Sequence, residues 1–97
     1  MPKKEIVINI GNEKHLYGFY KLLIEKLELP SFTGMHPDGL SDFLREPWEE
    51  DRNVRIINVS KTSDGIREEL EIITKMFERV KAFQKKCGNE FTWTVED

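Results

Sequence analysis

The sequence contains one cysteine, Cys87, and no long hydrophobic run. A single cysteine cannot form a disulfide within the chain or supply the several thiolates that hold a structural zinc ion. A lone free thiol is typical of a reducing compartment, and the N-terminus lacks the pattern of a signal peptide, so we expect the protein in the cytoplasm. No apolar stretch approaches the roughly 18 residues that a membrane-spanning helix needs, so we expect no membrane association.

Signatures of common enzyme and cofactor sites are also missing. The sequence has no G-x-G-x-x-G motif, no P-loop and no G-x-S-x-G motif. Its two histidines, His15 and His36, are isolated, and such a residue is more often a surface or capping residue than a catalytic one. His36 and Asp38 offer two metal ligands, whereas a site needs three or four. We therefore expect no metal, no cofactor and no enzymatic activity; the alternative, a small hydrolase or metal-dependent enzyme, requires a pocket near His36 and Asp38.

Size and composition indicate one domain over residues 1–97. The chain is 38% hydrophobic and 34% charged, a composition typical of a single globular unit.

The net charge of −3 argues against a nucleic-acid binder, which needs a basic patch. The charge is uneven, because residues 38–51 hold six acids and one base, so this segment carries −5 and the rest of the chain +2. This asymmetry favours a cationic partner, although a solvated helix end and loop would give the same composition.

Short β-branched or aromatic runs alternate with segments whose apolar residues recur every three or four positions. The first β-branched run, at residues 6–10, predicts a strand that is buried on both faces. Ser63 or Asp64 is the predicted cap at the start of the last helix. We predict strands at residues 6–10, 54–59 and 91–95, and helices at residues 15–28, from Pro37 to a stop at Pro47, and from about 66 to 87.

This alternation predicts an α/β fold. Strands separated by helices connect through right-handed crossovers and pair in parallel. The predicted architecture is a small three-stranded parallel sheet packed with helices in two layers.

The second predicted helix carries part of the acidic segment. Pro37 suits the first helical position, and Asp38 in the first turn is favoured by the helix dipole. At about 100° per residue, Asp38 and Asp42 lie roughly 40° apart on one face. Arg45, three residues after Asp42, offers it a weak intrahelical partner. The carboxylates are thus expected to point outward, opposite a face centred on Leu40, Phe43 and Leu44.

Residues 29–44 run from a loop into this acidic helix and carry the pattern Leu-Pro, aromatic, Gly, then D-x-L-x-D-x-L. In this segment the chain resembles the barstar family, the intracellular inhibitors of the secreted ribonuclease barnase. The resemblance also covers the order strand, helix, loop, helix, strand, long helix, strand over nearly all 97 residues. It implies a barstar-like immunity or antitoxin protein, monomeric when free, that occludes the cationic active site of a basic ribonuclease-type toxin.

The resemblance also assigns roles to residues of the loop and helix. Asp42 matches the principal anchor of the family and Asp38 its second acidic contact. Phe32 matches an aromatic contact, and Gly34 the backbone contact beside it. In this interpretation the carboxylates take the place of substrate phosphates, and bidentate hydrogen bonds to arginine provide both strength and orientation.

The chain departs from the family pattern at several positions. Phe32 and Thr33 replace two tyrosines, and Ser41 replaces a tryptophan. Arg79 aligns with a position that is acidic in barstar, with Glu78 one residue away. These differences favour a related toxin over barnase itself, because they penalise one partner while permitting another. The predicted partner-binding residues are Phe32, Gly34, His36, Asp38, Ser41, Asp42, Arg45, Glu46, Glu78 and Arg79. The alternative function is a barstar-like interaction module that binds a non-nuclease partner.

Overall fold

The computed structural model describes residues 3–97, which form three strands and three α-helices. The strands pair in parallel in the order β1-β2-β3, with Ile6 opposite Val54 and Val54 opposite Trp93. The predicted α/β fold, a three-stranded parallel sheet with helices packed against it, is confirmed. In chain order the elements are β1 (Lys3–Asn9), α1 (Leu16–Lys26), α2 (Pro37–Leu44), β2 (Asp51–Ile57), a single 3₁₀ turn (Val59–Lys61), α3 (Asp64–Lys86) and β3 (Phe91–Val95).

The helices cover one face of the sheet and leave the other exposed. Ile6 and Ile8 of β1 are buried, whereas Val7 and Asn9 between and after them are exposed. The prediction that this strand is buried on both faces is therefore wrong. The reason is topological: in the order β1-β2-β3 both right-handed crossovers advance in the same direction, so their helices lie on the same side.

The exposed face is held together by polar cross-strand contacts. Arg55 of β2 makes two hydrogen bonds to the carboxylate of Glu96, at 2.9 and 3.0 Å. The Arg55 guanidinium, with the Thr94 hydroxyl, lowers the pKa of Glu96 to about 2. The Asn53 amide donates to the Thr92 hydroxyl at 2.7 Å. These pairs tie β2 to β3 without a second layer of helices.

The long helix α3 forms the centre of the core. Ser63 is its N-cap and accepts a hydrogen bond from the Ile66 N–H, which agrees with one of the two predicted caps. Cys87, which continues the helical register, is the exposed C-cap and lies outside the core. The buried positions of α3 are Ile66, Leu70, Ile73, Met76, Phe77, Val80 and Gln84.

Helix α1 packs on β1 and on α3. Phe19 and Leu23 are fully buried, but Leu16 in the first turn is exposed, although its three-residue spacing from Phe19 predicts that both lie in one apolar stripe. The buried Tyr20 hydroxyl donates to the Glu69 carboxylate on α3, and burial together with that contact raises the pKa of Tyr20. None of the helices in residues 3–97 has the length and apolar character that crossing a membrane requires.

Candidate protein-interaction site

His36 starts the acidic helix α2. It is the N-cap, and its Nδ1 atom accepts a hydrogen bond from the Gly39 N–H at 3.0 Å, while Pro37 occupies the first turn. The ring also lies over Gly34, where an added Cβ would come within 2.6 Å of His36 Nε2. Capping of this kind satisfies a backbone N–H that the helix leaves without a partner. His36 therefore shapes the loop and the start of the helix, and it remains an exposed residue.

The loop before α2 touches the helix backbone directly. A Cβ added at Gly39 would lie 2.5 Å from the carbonyl oxygen of Gly34 and 2.9 Å from its Cα. Within the loop, the buried Thr33 donates both its N–H and its hydroxyl to the Pro30 carbonyl. These contacts hold the loop that carries Phe32 against the start of α2.

This close approach gives a prediction for Gly39. We expect Gly39→Ala to lower the free energy of unfolding by about 1–3 kcal/mol, because a methyl group here must displace backbone atoms. Gly65, in the first turn of α3, is the matched control, since a Cβ added there would have no neighbour within 4 Å. Gly65→Ala should leave stability unchanged or raise it by up to about 1 kcal/mol. Urea denaturation measures both; equal stabilities for the two variants would contradict the contact.

Helix α2 has a buried side and an exposed acidic side. Leu40 and Leu44 are fully buried, and Ser41 is only 2% exposed. Ser41, one of the predicted partner-binding residues, is therefore covered by the protein itself, and the structure does not place it on the outer face. Asp38 and Asp42 are both exposed, as expected from their spacing.

The two aspartates have little internal neutralisation. The Asp42 side chain is 73% exposed, and the nearest guanidinium nitrogen, of Arg45, lies 3.9 Å from Oδ1. That distance is longer than a hydrogen bond, and exposed pairs of this kind contribute less than about 1 kcal/mol. Asp38 forms no ion pair with any other residue in the described part of the chain. Both carboxylates are available to a partner.

An aromatic pair borders this acidic face. Phe32 is 79% exposed and packs edge-on against Phe43, with ring centroids 5.7 Å apart. Phe43 is half-buried, so the prediction that it lies on the buried face with Leu40 and Leu44 is only partly right. Phe32 thus keeps most of its apolar surface in water.

The acids that follow α2 divide into two groups. Glu50 pairs with Arg52 at 3.1 Å, and Arg52 stacks over the Trp48 ring. Asp51 accepts a hydrogen bond from the Glu90 N–H. These two carboxylates are occupied within the protein, whereas the side chains of Glu46 and Glu49 are exposed.

A buried amide clamp holds the C-terminal end of α2. Gln84 on α3 is fully buried, and its Nε2 donates to the carbonyls of Leu44 and Glu46 at 2.9 and 2.7 Å. Asn89 donates to the carbonyl of Trp48 and to the side-chain oxygen of Gln84. This clamp was not among the predicted features, although a glutamine four residues after Val80 in an apolar stripe is a recognisable signal.

The predicted contacts on α3 do not form one group. Glu78 lines a shallow cleft beside β3 together with Lys81, Thr92 and Trp93, and no α2 residue lines that cleft. Arg79, one residue further, is exposed and turned about 100° from Glu78. The acidic surface is therefore centred on α2, with Asp38, Asp42 and Glu46 exposed.

Residues 3–97 contain no group of three or more His, Cys, Asp or Glu side chains arranged to hold a metal ion. No family model matches the sequence, and a search of curated proteins finds no match.

Proposed function

We propose that this protein is a barstar-like inhibitor that binds a basic ribonuclease-type toxin and covers the cationic active site of that enzyme. The observation that carries the proposal is the exposure of Asp38 and Asp42 on one side of α2, with Arg45 at 3.9 Å as the nearest cation to Asp42. The proposal also draws on the Leu-Pro, aromatic, Gly and D-x-L-x-D-x-L pattern of residues 29–44.

The chemistry follows from what a ribonuclease cleft binds. Arginine, lysine and histidine side chains there contact substrate phosphates, and carboxylates present the same charge to them. A carboxylate accepts two parallel hydrogen bonds from a guanidinium, which fixes orientation as well as adding strength. Aspartate has a short side chain, so little conformational entropy is lost when it is held by the partner.

The scaffold presents these carboxylates with little rearrangement. The His36 cap and the Gly34–Gly39 backbone contact fix the start of α2, and the Gln84 amide fixes its end. Preorganisation of this kind raises affinity because the entropy of ordering is lost on folding and not on binding. The exposed ring of Phe32 adds apolar area that a partner would bury.

The second candidate is a barstar-like interaction module whose partner is not a nuclease. It uses the same exposed aspartates as the inhibitor. The two differ in outcome, because an inhibitor abolishes RNA cleavage by its partner. In both cases we expect a cytoplasmic protein that is monomeric when free.

The proposal is tested by titrating the protein into barnase and into related small basic bacterial ribonucleases while following cleavage of a fluorescent RNA. We expect stoichiometric 1:1 inhibition of at least one enzyme, with an association rate that falls as salt is raised. The control is the double variant Asp38→Asn, Asp42→Asn, which keeps side-chain shape and removes the charges. Full activity of every ribonuclease at excess protein would overturn the proposal, and binding without inhibition would favour the second candidate.

A further inference from the structure

Exposed apolar side chains are concentrated at the start of α1 and in the loop before α2. Seven large hydrophobic side chains are exposed in residues 3–97, and four of them lie in these two segments: Leu16, Tyr17, Phe32 and Met35. The other three lie singly on β1, α3 and β3. A local concentration of this kind marks an interaction surface, whereas single exposed hydrophobic residues are ordinary.

Two of these residues face a hollow between α1 and the loop. The hollow has a volume of about 340 Å³, and its apolar lining comes from Tyr17, Ile24, Leu29 and Met35. This volume falls within the range of pockets that hold small molecules, about 300–1,000 Å³. It is large enough to receive one bulky apolar side chain.

The charged residues that line the hollow favour neither a cationic nor an anionic ligand. Lys21 and Glu25 also line it, and they lie four residues apart on α1 with opposite charges. The hollow itself is therefore close to neutral. Selection by charge belongs to the neighbouring acidic face, where Asp38 and Asp42 favour a basic protein.

The loop leads from the hollow to α2, the helix that carries the acidic face. Ser31 lines the hollow, and the next residue, Phe32, packs on Phe43 of α2. Helix α2 has eight residues and is only about 12 Å long, whereas a stable interface buries about 800 Å² on each partner. A protein docked on the aspartates must therefore extend beyond α2. Tyr, Phe and Met are enriched at interfaces and Glu is depleted, so the side with Tyr17 and Met35 is the favoured direction over that with Glu46 and Glu49.

We propose that this hollow is the second half of the toxin-binding surface and receives an apolar side chain of the same basic protein whose cations face Asp38 and Asp42. The inference rests on the proposed function. It assigns the two halves different tasks. The aspartates attract the partner, orient it and pair with its cations in the complex, whereas the hollow acts on release alone, because contact between apolar groups forms only after docking.

The test measures association and dissociation rates separately, by stopped-flow fluorescence, for each ribonuclease of the panel that the wild-type protein binds. The variants are Tyr17→Ala, Met35→Gln and their combination. We expect the double variant to dissociate about 10- to 100-fold faster, with association rate and its salt dependence unchanged. Val7→Ala is the matched control, since Val7 is 43% exposed and Met35 40%, and Val7 lies on the open face of the sheet.

The outcomes separate this inference from the function on which it rests. If the double variant dissociates at the wild-type rate while Asp42→Ala binds more weakly, the hollow is not part of the binding surface, and the proposed inhibitor function stands. If no ribonuclease of the panel binds this protein, the proposed function is overturned, and this inference with it. Sedimentation of the free protein tests a different occupant: a wild-type dimer that the double variant abolishes would show that a second copy fills the hollow, which also contradicts the proposal.

Discussion

Asp42→Ala is expected to weaken the proposed complex with a basic ribonuclease by about 2–5 kcal/mol, roughly 30- to 5,000-fold in Kd. The range is that of charged, hydrogen-bonded pairs buried at an interface, and barnase with barstar is among the complexes that define it. The loss is large because truncation leaves the partner's cation buried without a counter-charge. Most of it should appear in the dissociation rate, measured by stopped-flow fluorescence.

Asp38→Ala should have a smaller effect on the same measurement. Asp38 lies in the first turn of α2, where the positive end of the helix dipole already offsets part of its charge. Glu68→Ala is a suitable control, because Glu68 is an exposed acid on α3 and its removal changes the net charge equally. If Asp42→Ala and Glu68→Ala bind the ribonuclease with equal affinity, only the overall charge matters and α2 does not contact the partner.

Gln84→Leu is expected to lower the free energy of unfolding by about 2–4 kcal/mol. The substitution keeps an apolar volume in the core but leaves the carbonyls of Leu44 and Glu46 without their donor, and a buried group without a partner costs about 1–3 kcal/mol. For a chain of this length, that loss lowers Tm by roughly 8–32 °C. Thermal unfolding followed by circular dichroism measures it.

A neighbouring residue on the same helix supplies the control for Gln84. Lys85 is exposed, so Lys85→Leu should change stability by no more than about 0.5 kcal/mol. Relative to the wild-type protein, Gln84→Leu should accelerate hydrogen exchange more at the amides of residues 44–48 than at those of the sheet, because the clamp holds that segment on α3. Stability of Gln84→Leu equal to that of Lys85→Leu would mean that the two carbonyls find other donors.

Much of the fold was predictable from local patterns in the sequence. The strand predicted at residues 91–95 coincides with β3, whereas the strand predicted at 54–59 overlaps β2 only at residues 54–57. The long helix α3 begins at Asp64, and Ser63, one of the two predicted caps, is its N-cap. The one-sided burial of β1 was not predicted, because Val7 is β-branched and apolar whichever face it occupies. Only the direction of the two crossovers decides which face of the sheet the helices cover.

The candidate site was predictable to a lesser degree. The exposure of Asp38 and Asp42 follows from helical spacing alone. The burial of Ser41 depends on how α2 packs on α3, and the clamp by Gln84 joins residues 40 positions apart. Asp51 reaches the Glu90 N–H because β2 lies beside β3, whereas Glu50 pairs locally with Arg52, two residues further on. Tertiary contacts, together with this local pair, therefore decide which of the six acids remain free.

Competition with substrate tests the proposed mode of inhibition most directly. In the measurement, a non-cleavable oligonucleotide is titrated into the inhibited ribonuclease at increasing concentrations of this protein. If carboxylates of α2 occupy the phosphate sites, binding is mutually exclusive, and the apparent Kd of the oligonucleotide rises in proportion to the inhibitor concentration without reaching a limit. A plateau in that Kd, which signals a ternary complex, would contradict occlusion of the cleft by Asp38 and Asp42.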